Sequence, residues 1–393
     1  MHSFNVAATP HIHFGAGKRA ILPDIIRSYG RQIVLVSGGH SFDASALCQD
    51  LLESLNQQFH IMMHVRVSGE PTPALVDDTV AACFNAKPDC VIAIGGGSPV
   101  DTAKAIAGLL PCGDSVMHYL EGVGQGKIYH GPSTPFIALP TTAGTGGETS
   151  KNAVLSEIGL NGFKKSFRHE DLVAKHIILD PELTLSCPPA VTAACGMDAF
   201  TQLLESYVSK QANPITDALA ISGMEKLTRS LPTAIHRGDD LQARSDMLYA
   251  SSLSGLTLAN AGLGSVHGLA SPIGACCPMP HGEVCGSLLF EATCQNITLM
   301  QEREPDNIAL HKYAEVGRIM LADRILDDKA ALAALLSRLK SWTAEFNMPL
   351  LSDYGITAAD TDKLIANASS GSMQTNPILL SHAEVAVLIH SRL

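Results

Sequence analysis

Three side chains suited to holding a divalent cation stand at telling spacings in the 393-residue chain. Gly196-Met197-Asp198-Ala199-Phe200-Thr201-Gln202 sets Asp198 and Gln202 four apart, on one face of a helix. Ser265-Val266-His267-Gly268-Leu269-Ala270-Ser271 does the same for His267 and Ser271, and His281 follows fourteen residues after His267. One carboxylate and two imidazoles form a donor set of the kind that binds zinc or iron. A lone Asp or His on a helix is more often solvated or hydrogen-bonded in a core, so spacing alone leaves both uses open.

A second chemistry is written in glycines. Ala93-Ile94-Gly95-Gly96-Gly97-Ser98-Pro99-Val100-Asp101-Thr102-Ala103-Lys104 passes from an apolar strand through three glycines into a helix. Glycines let backbone amides approach a pyrophosphate, and the helix N-terminus adds partial positive charge. Ser98 or Asp101 is a candidate cap for that helix. A glycine triplet by itself also makes a ligand-free strand-to-helix turn. Here a second turn, Pro140-Thr141-Thr142-Ala143-Gly144-Thr145-Gly146-Gly147-Glu148, follows another strand and offers hydroxyls and pliable backbone for a further part of the same nucleotide.

The elements that must position these residues fall into two halves. Between Ile33 and Asp180, short β-branched runs alternate with amphipathic stretches, the pattern of βαβ units around a mostly parallel sheet. Its clearest strands, Ile33–Ser37, Cys90–Ile94 and Phe136–Leu139, end in Gly- or Thr-rich turns, where open α/β sheets bind ligands. Prolines at Asp180-Pro181 and Pro188-Pro189 interrupt this pattern. Beyond them, Asp217–Leu231, Ala243–Leu258 and Ala330–Phe346 show three-to-four-residue periodicity. The expected division is 1–182, an α/β dinucleotide-binding domain, and 183–393, an all-helical metal and substrate domain.

Composition narrows the class. With 46% hydrophobic and 17% charged residues the chain suits a folded globular protein. A net charge of -11, with no basic stripe, argues against nucleic acid as a partner. No signal peptide or membrane-length apolar run is evident, so a cytoplasmic location is expected. The ten cysteines are expected to be reduced. Cys276, Cys277 and Cys285 lack paired CxxC spacing and are read as packing.

The strings GGGSPVDTAKA and PTTAGTGGETS, with DPELT and the proline pair between positions 180 and 189, resemble the iron-containing (group III) alcohol dehydrogenases. The resemblance runs from FGAG at Phe14–Gly17 to Asn376-Pro377. It implies an N-terminal dinucleotide-binding α/β domain, an all-α C-terminal metal-binding domain and a nicotinamide cofactor between them, an architecture shared with dehydroquinate synthase. By motif, the cofactor contacts are Gly96, Gly97, Ser98, Asp101, Thr141, Thr142, Thr145 and Asn152, with Lys164 as a further one. Many NAD-using members have a Thr-Asp pair where this chain has Ser37-Gly38, and its Gly38-Gly39 pattern resembles members that prefer NADP. The cofactor expected is therefore NADP or NAD, with a lean to NADP.

The resemblance also implies that Asp198, His267 and His281 act in catalysis as metal ligands. The fourth ligand, typically His, is Gln202 here, and a proton-relay histidine corresponds to Ser271. Three readings stay open: catalytic Zn²⁺, retained Fe²⁺, or a site that has lost its metal, as in the maleylacetate reductase branch; a bound metal ranks first. The reaction implied is hydride transfer between NAD(P) and a small alcohol, aldehyde or ketone, in a homodimer or larger homo-oligomer with no membrane partner. Proton exit would run through water at the metal, a ribose hydroxyl or a neighbouring histidine. Phe163, Phe167 and the Met373 loop are candidates for the substrate pocket. Two alternatives remain: a non-redox enzyme resembling dehydroquinate synthase, and a cofactor-binding protein without turnover. Lys210, Lys226, Arg229, Arg237 and Arg244 are the only Lys or Arg between Asp198 and His281, which disfavours a phosphorylated acidic substrate.

Overall fold

The structure is a computed structural model and describes residues 3–159, 162–368 and 371–393. Eight strands occur among these residues: β1 His11–Phe14, β2 Gln32–Gly38, β3 His60–Val67, β4 Cys90–Gly95, β5 Phe136–Pro140, β6 Asn152–Glu157, β7 Phe163–Arg168 and β8 His176–Leu179. Six of them form a sheet in the order β1-β8-β5-β4-β2-β3, every neighbouring pair parallel. Parallel strands need crossover helices, and these are α1 Leu22–Arg27, α2 His40–Ala44, α3 Ala46–Gln58, α4 Pro73–Cys83 and α5 Gly97–Leu109.

Period-two alternation sends the strand side chains to two apolar cores. Val34, Val36, Val91, Ala93 and Ala138 join Val76, Val80, Ala103 and Ile106 from α4 and α5. Ile33, Leu35, Ile92, Ile94, Ile137 and Leu139 meet Leu22, Ile26, Leu51 and Leu55 from α1 and α3 on the opposite face. With both faces covered, the central strands are apolar almost throughout. The three strands expected from sequence lie inside β2, β4 and β5.

After β8 the buried Asp180 carboxylate accepts from the Gly17, Arg19 and Glu182 amides at 3.0–3.1 Å and from Arg19 Nη1 at 2.9 Å. It ties the Phe14–Gly17 turn to the exit from the sheet. The rest is helical: α6 Pro189–Val208, α7 Pro214–His236, α8 Leu241–Ala261, α9 Ser265–Cys276, α10 His281–Arg303, α11 Ile308–Leu321, α12 Asp328–Glu345, α13 Thr361–Ala368, α14 Ser372–Thr375 and α15 His382–His390. The helices expected from periodicity lie within α7, α8 and α12, each opened by a side-chain cap from Asn213, Asp240 or Asp327; only Phe346 falls outside, as the C-cap of α12. Helix α6 is buried along nearly its whole length, packed on α7, α8 and α10, which puts Asp198 in the interior of this half. The antiparallel pair β6-β7 joins the halves, β6 against α5 and β7 against α9.

Candidate active site

The winding of the sheet reverses between β2 and β4, because the chain goes outward from β2 to β3 and then crosses back. Ligand crevices in open α/β sheets lie outside the carboxyl ends of the strands at such a point. Gly38 and Gly39 close β2 there, and the Gly95–Gly97 turn closes β4. The second glycine turn reaches the first from β5. A Cβ at Gly96 would stand 3.1 Å from Thr142 Oγ1, and one at Gly97 would stand 3.1 Å from Thr145 Cγ2. The two turns therefore border one hollow that side chains on these glycines would fill.

Helix α5 starts at Gly97 with Gly96 as N-cap and no side-chain cap hydrogen bond. The expectation that Ser98 or Asp101 caps it is corrected: both lie inside the helix, past the position from which a side chain reaches back to the first amides. An N-terminus without a side-chain cap, beside glycines, is well suited to an anionic ligand. Asp101 instead accepts from the Val154 amide and lies 3.9 Å from Lys104 Nζ; burial pushes its carboxyl up to about 6 against the pull of that ammonium. Lys104 is fully buried and holds the second turn from below, donating to the Gly147 and Asn152 carbonyls at 2.6 Å. Sequence reasoning missed it, although a lysine inside an otherwise apolar helix face was a visible signal.

In the helical half the structure brings Asp198, His267 and His281 together. Asp198 Oδ1 lies 3.2 Å from His267 Nε2 and 3.7 Å from His281 Nε2. Cys285 Sγ, read from sequence as packing, joins them at 3.6 Å from His267 Nε2 and 3.8 Å from His281 Nε2. One donor atom from each of the four lies within 4.8 Å of the others. Cys285 follows His281 by four on α10, so the two share one helix face, a relation visible in the sequence. Its partners Cys276 and Cys277 are packing, at the end of α9.

Glu205 was missed too, although it continues the Asp198–Gln202 face by a further three residues. Its carboxylate accepts from His267 Nδ1 and the Val266 amide, both at 2.7 Å, fixing the ring so that Nε2 points at Asp198. Asn376 Oδ1 accepts from the Ser265 amide at 3.1 Å, so α9 is capped from two remote segments. Such supporting contacts orient a metal ligand.

Gln202 lies beside the cluster but turns its amide nitrogen to it, donating to Asp198 Oδ1 at 3.2 Å, while its oxygen accepts from Ser254 Oγ at 2.9 Å. That hydroxyl stands 3.4 Å from the Gly144 carbonyl, so Ser254 and Gln202 together link the second glycine turn to the cluster. Ser271 lies one turn after His267 on α9, partly exposed. Lys164 on β7 donates to Glu70 at 2.7 Å.

The charges are coupled. Burial pulls the His281 imidazole down to about 4, and Lys164 and His267 push the same way against Asp198. Burial also acts on His267, but Cys285, Asp198 and Glu205 outweigh it and hold its pKa well above 6.5. Burial would raise Asp198, yet the two imidazoles keep its carboxyl below the ordinary range. Burial lifts the Cys285 thiol to about 12 despite His267 beside it.

Phe167 does not line this region. It is buried in the α/β core, stacked on Tyr119 with ring centroids 5.6 Å apart, because its position on β7 faces α5. Phe163 is partly buried against the same core. Met373 lies against α9, 3.0 Å from where a Cβ on Gly268 would stand, next to His267. The cations between Asp198 and His281 include Arg244, which is buried on the Gly238 and Cys187 carbonyls, and Lys226, which pairs with Asp246 at 3.2 Å. All ten cysteines are free, and no helix among the described residues is long and apolar enough to cross a membrane.

Comparison with known proteins identifies the family. The family model for iron-containing alcohol dehydrogenases matches residues 9–181, and that for the C-terminal part of the Fe-containing alcohol dehydrogenase family matches 192–393. Long-chain-alcohol dehydrogenase 1 of Geobacillus thermodenitrificans is 37% identical over 281 residues, covering 71% of this chain and 70% of that one. Alcohol dehydrogenase 4 of Saccharomyces cerevisiae is 31% identical over 391 residues, 97% of this chain and 96% of that one. A crystal structure of 1,3-propanediol oxidoreductase superposes with a TM-score of 0.89 at 27% identity, over the full length of both chains. The chain belongs to the iron-containing alcohol dehydrogenase family and is an oxidoreductase of the alcohol dehydrogenase class.

Proposed function

We propose that the protein transfers hydride between NADP or NAD and a small alcohol or its carbonyl partner, using a divalent metal held by Asp198, His267 and His281. The single observation that carries this reading is the buried convergence of those three donors, linked through Gln202 and Ser254 to the second of two glycine turns that border one hollow. The residues fit both groups. A carboxylate and two imidazoles, one of them oriented by Glu205, form a donor set for Fe²⁺ or Zn²⁺. The hollow beside Gly96 and Gly97, at a helix start without a side-chain cap, suits a pyrophosphate. When bound, the metal supplies Lewis acidity toward the substrate oxygen and the nicotinamide exchanges hydride with the adjoining carbon.

The chain's own residues do the positioning. The first-turn amides of α5 with Ser98 hold the diphosphate, and Thr141, Thr142, Thr145 and Asn152 contact the remainder of the dinucleotide. Asp101 and Lys164 set the charge at its edge. Ser271 has no group that titrates near neutrality, so the substrate proton leaves through a ribose hydroxyl or a neighbouring histidine. Gly38 and Gly39 place no carboxylate at the end of β2, which removes the repulsion that excludes a 2′-phosphate and favours NADP. Assembly as a homodimer or larger homo-oligomer belongs to the same reading.

The test is an assay of short alcohols and aldehydes against both cofactors, with metal-stripped protein and after adding Fe²⁺ or Zn²⁺. Turnover should depend on metal, with kcat/KM higher for NADP. Nicotinamide turnover unchanged by stripping and restoring metal would refute the proposed role of the cluster.

A further inference from the structure

We propose that Cys285 is itself a metal ligand, its Sγ completing a four-donor site with Asp198, His267 and His281 where Gln202 does not. The proposal rests on the metal-binding reading above and goes beyond it by naming the fourth donor and the class of ion that it selects.

Distances carry the argument. With metal–sulfur bonds of about 2.3 Å and metal–nitrogen or metal–oxygen bonds of about 2.0–2.1 Å, a tetrahedral site has sulfur-to-nitrogen edges of about 3.6 Å and nitrogen-to-oxygen edges of about 3.3 Å. The observed edges from Cys285 Sγ are 3.6 and 3.8 Å, and those from Asp198 Oδ1 are 3.2 and 3.7 Å. Four of the six edges thus lie near those of a metal-centred tetrahedron, and the remaining two are no longer than 4.8 Å. Gln202 is committed elsewhere: its nitrogen faces Asp198, and its oxygen, the only atom that could ligate, is bonded to Ser254.

The backbone is built to bring the sulfur there. Helix α10 begins at His281, so His281 and Cys285 lie one turn apart on the same face. At Gly286 a Cβ would stand 2.3 Å from Met348 Sδ and 3.1 Å from Met197 Cβ, so α10 approaches α6 closely just beside Asp198. Cys285 is fully buried, and its sulfur is directed at two imidazoles.

The consequence is a change in the character of the site: with four protein donors in place, a substrate oxygen reaches the metal as a fifth ligand. A thiolate and a carboxylate together balance the charge of a divalent ion, and a sulfur donor suits Zn²⁺ better than Fe²⁺. On binding, the thiol proton is released to solvent as the metal takes its place on sulfur.

The test uses the full chain, stripped with a chelator and reloaded with Co²⁺ as a spectroscopic probe, with bound metal counted by mass spectrometry. The expected result is one cobalt per chain with a near-ultraviolet thiolate-to-cobalt charge-transfer band. Cys285→Ser should lose that band and bind cobalt at least about tenfold more weakly, whereas Gln202→Ala should keep the band. Because the serine variant can fail to fold, X-ray absorption of the zinc-loaded wild type provides a second readout, with one sulfur neighbour expected at about 2.3 Å. Stoichiometric cobalt without the band, a band that survives in Cys285→Ser, or a zinc shell without sulfur overturns the assignment of Cys285 and leaves the metal reading standing. Failure of wild type to bind any metal overturns both.

Discussion

The proposed nucleotide hollow and the proposed metal cluster are built by opposite means. The hollow is made largely of backbone: glycines at 95–97, 144, 146 and 147, a helix start without a side-chain cap, and Lys104 bracing the second turn from beneath. The cluster is made of side chains from three helices, α6, α9 and α10, each held by contacts far away in sequence. A site held mainly by backbone is less sensitive to any single side chain outside its glycines. A side-chain site changes character with one substitution, and there the chain differs from the ligand pattern that the family resemblance implies, at Gln202 and Ser271.

Substitutions that damage one region and spare the other test this contrast. The largest effect is expected from Asp198→Asn, which removes the carboxylate that both imidazoles face. Bound metal should fall below stoichiometry and kcat/KM by about a thousandfold, as expected when a ligand of a catalytic metal is lost. Dinucleotide affinity, measured by fluorescence titration, should be unchanged.

Gly97→Val is the mirror experiment. Its Cβ would press on Thr145, 3.1 Å away, and narrow the hollow. The dissociation constant for the dinucleotide should rise about a hundredfold, a loss of about 2.7 kcal/mol, with metal content at the wild-type level. Loss of metal in this variant would show that the two regions are not separable.

Glu205→Gln sharpens the point, since it leaves every proposed ligand in place and weakens only what orients His267. Metal affinity should drop about tenfold. Rescue by Glu205→Asp would be incomplete, because the shorter side chain cannot reach both His267 and the Val266 amide.

The last effect concerns stability alone and leaves the activity untouched. Glu148 in the second turn is buried with Oε1 unpartnered, and burial pushes its carboxyl up to about 7. The folded pKa lies above the unfolded one, so the native state holds the extra proton and stability falls as pH rises from about 4.5 through 7. Glu148→Gln should therefore stabilise the fold by about 3 kcal/mol at pH 8 and by nothing near pH 4.5, read from denaturant midpoints.

The same contrast explains what could be read before the fold was known. The strands, both glycine turns and the long helices were legible because local pattern decides them: alternation in β2, glycine at strand ends, periodicity in α7, α8 and α12. Asp198, His267 and His281 were legible through motif resemblance. Cys285 was not, because a cysteine in an apolar helix reads as packing until the neighbouring helices are placed. Phe167 was misassigned for the same reason, since nothing local distinguishes a pocket-facing aromatic from a core one on β7. Glu205 and Asn376 act across 62 and 111 residues of chain, on His267 and Ser265, a relation that no local spacing expresses.

The central claim is that the two differently built regions act on one substrate. It is tested most directly by following the hydride itself. An alcohol carrying deuterium on its carbinol carbon is turned over by metal-loaded protein, and the reduced dinucleotide is weighed by mass spectrometry. The account predicts that the dinucleotide gains one deuterium, and that metal-stripped protein transfers none. Reduced dinucleotide without the label, or equal transfer by stripped protein, would contradict it.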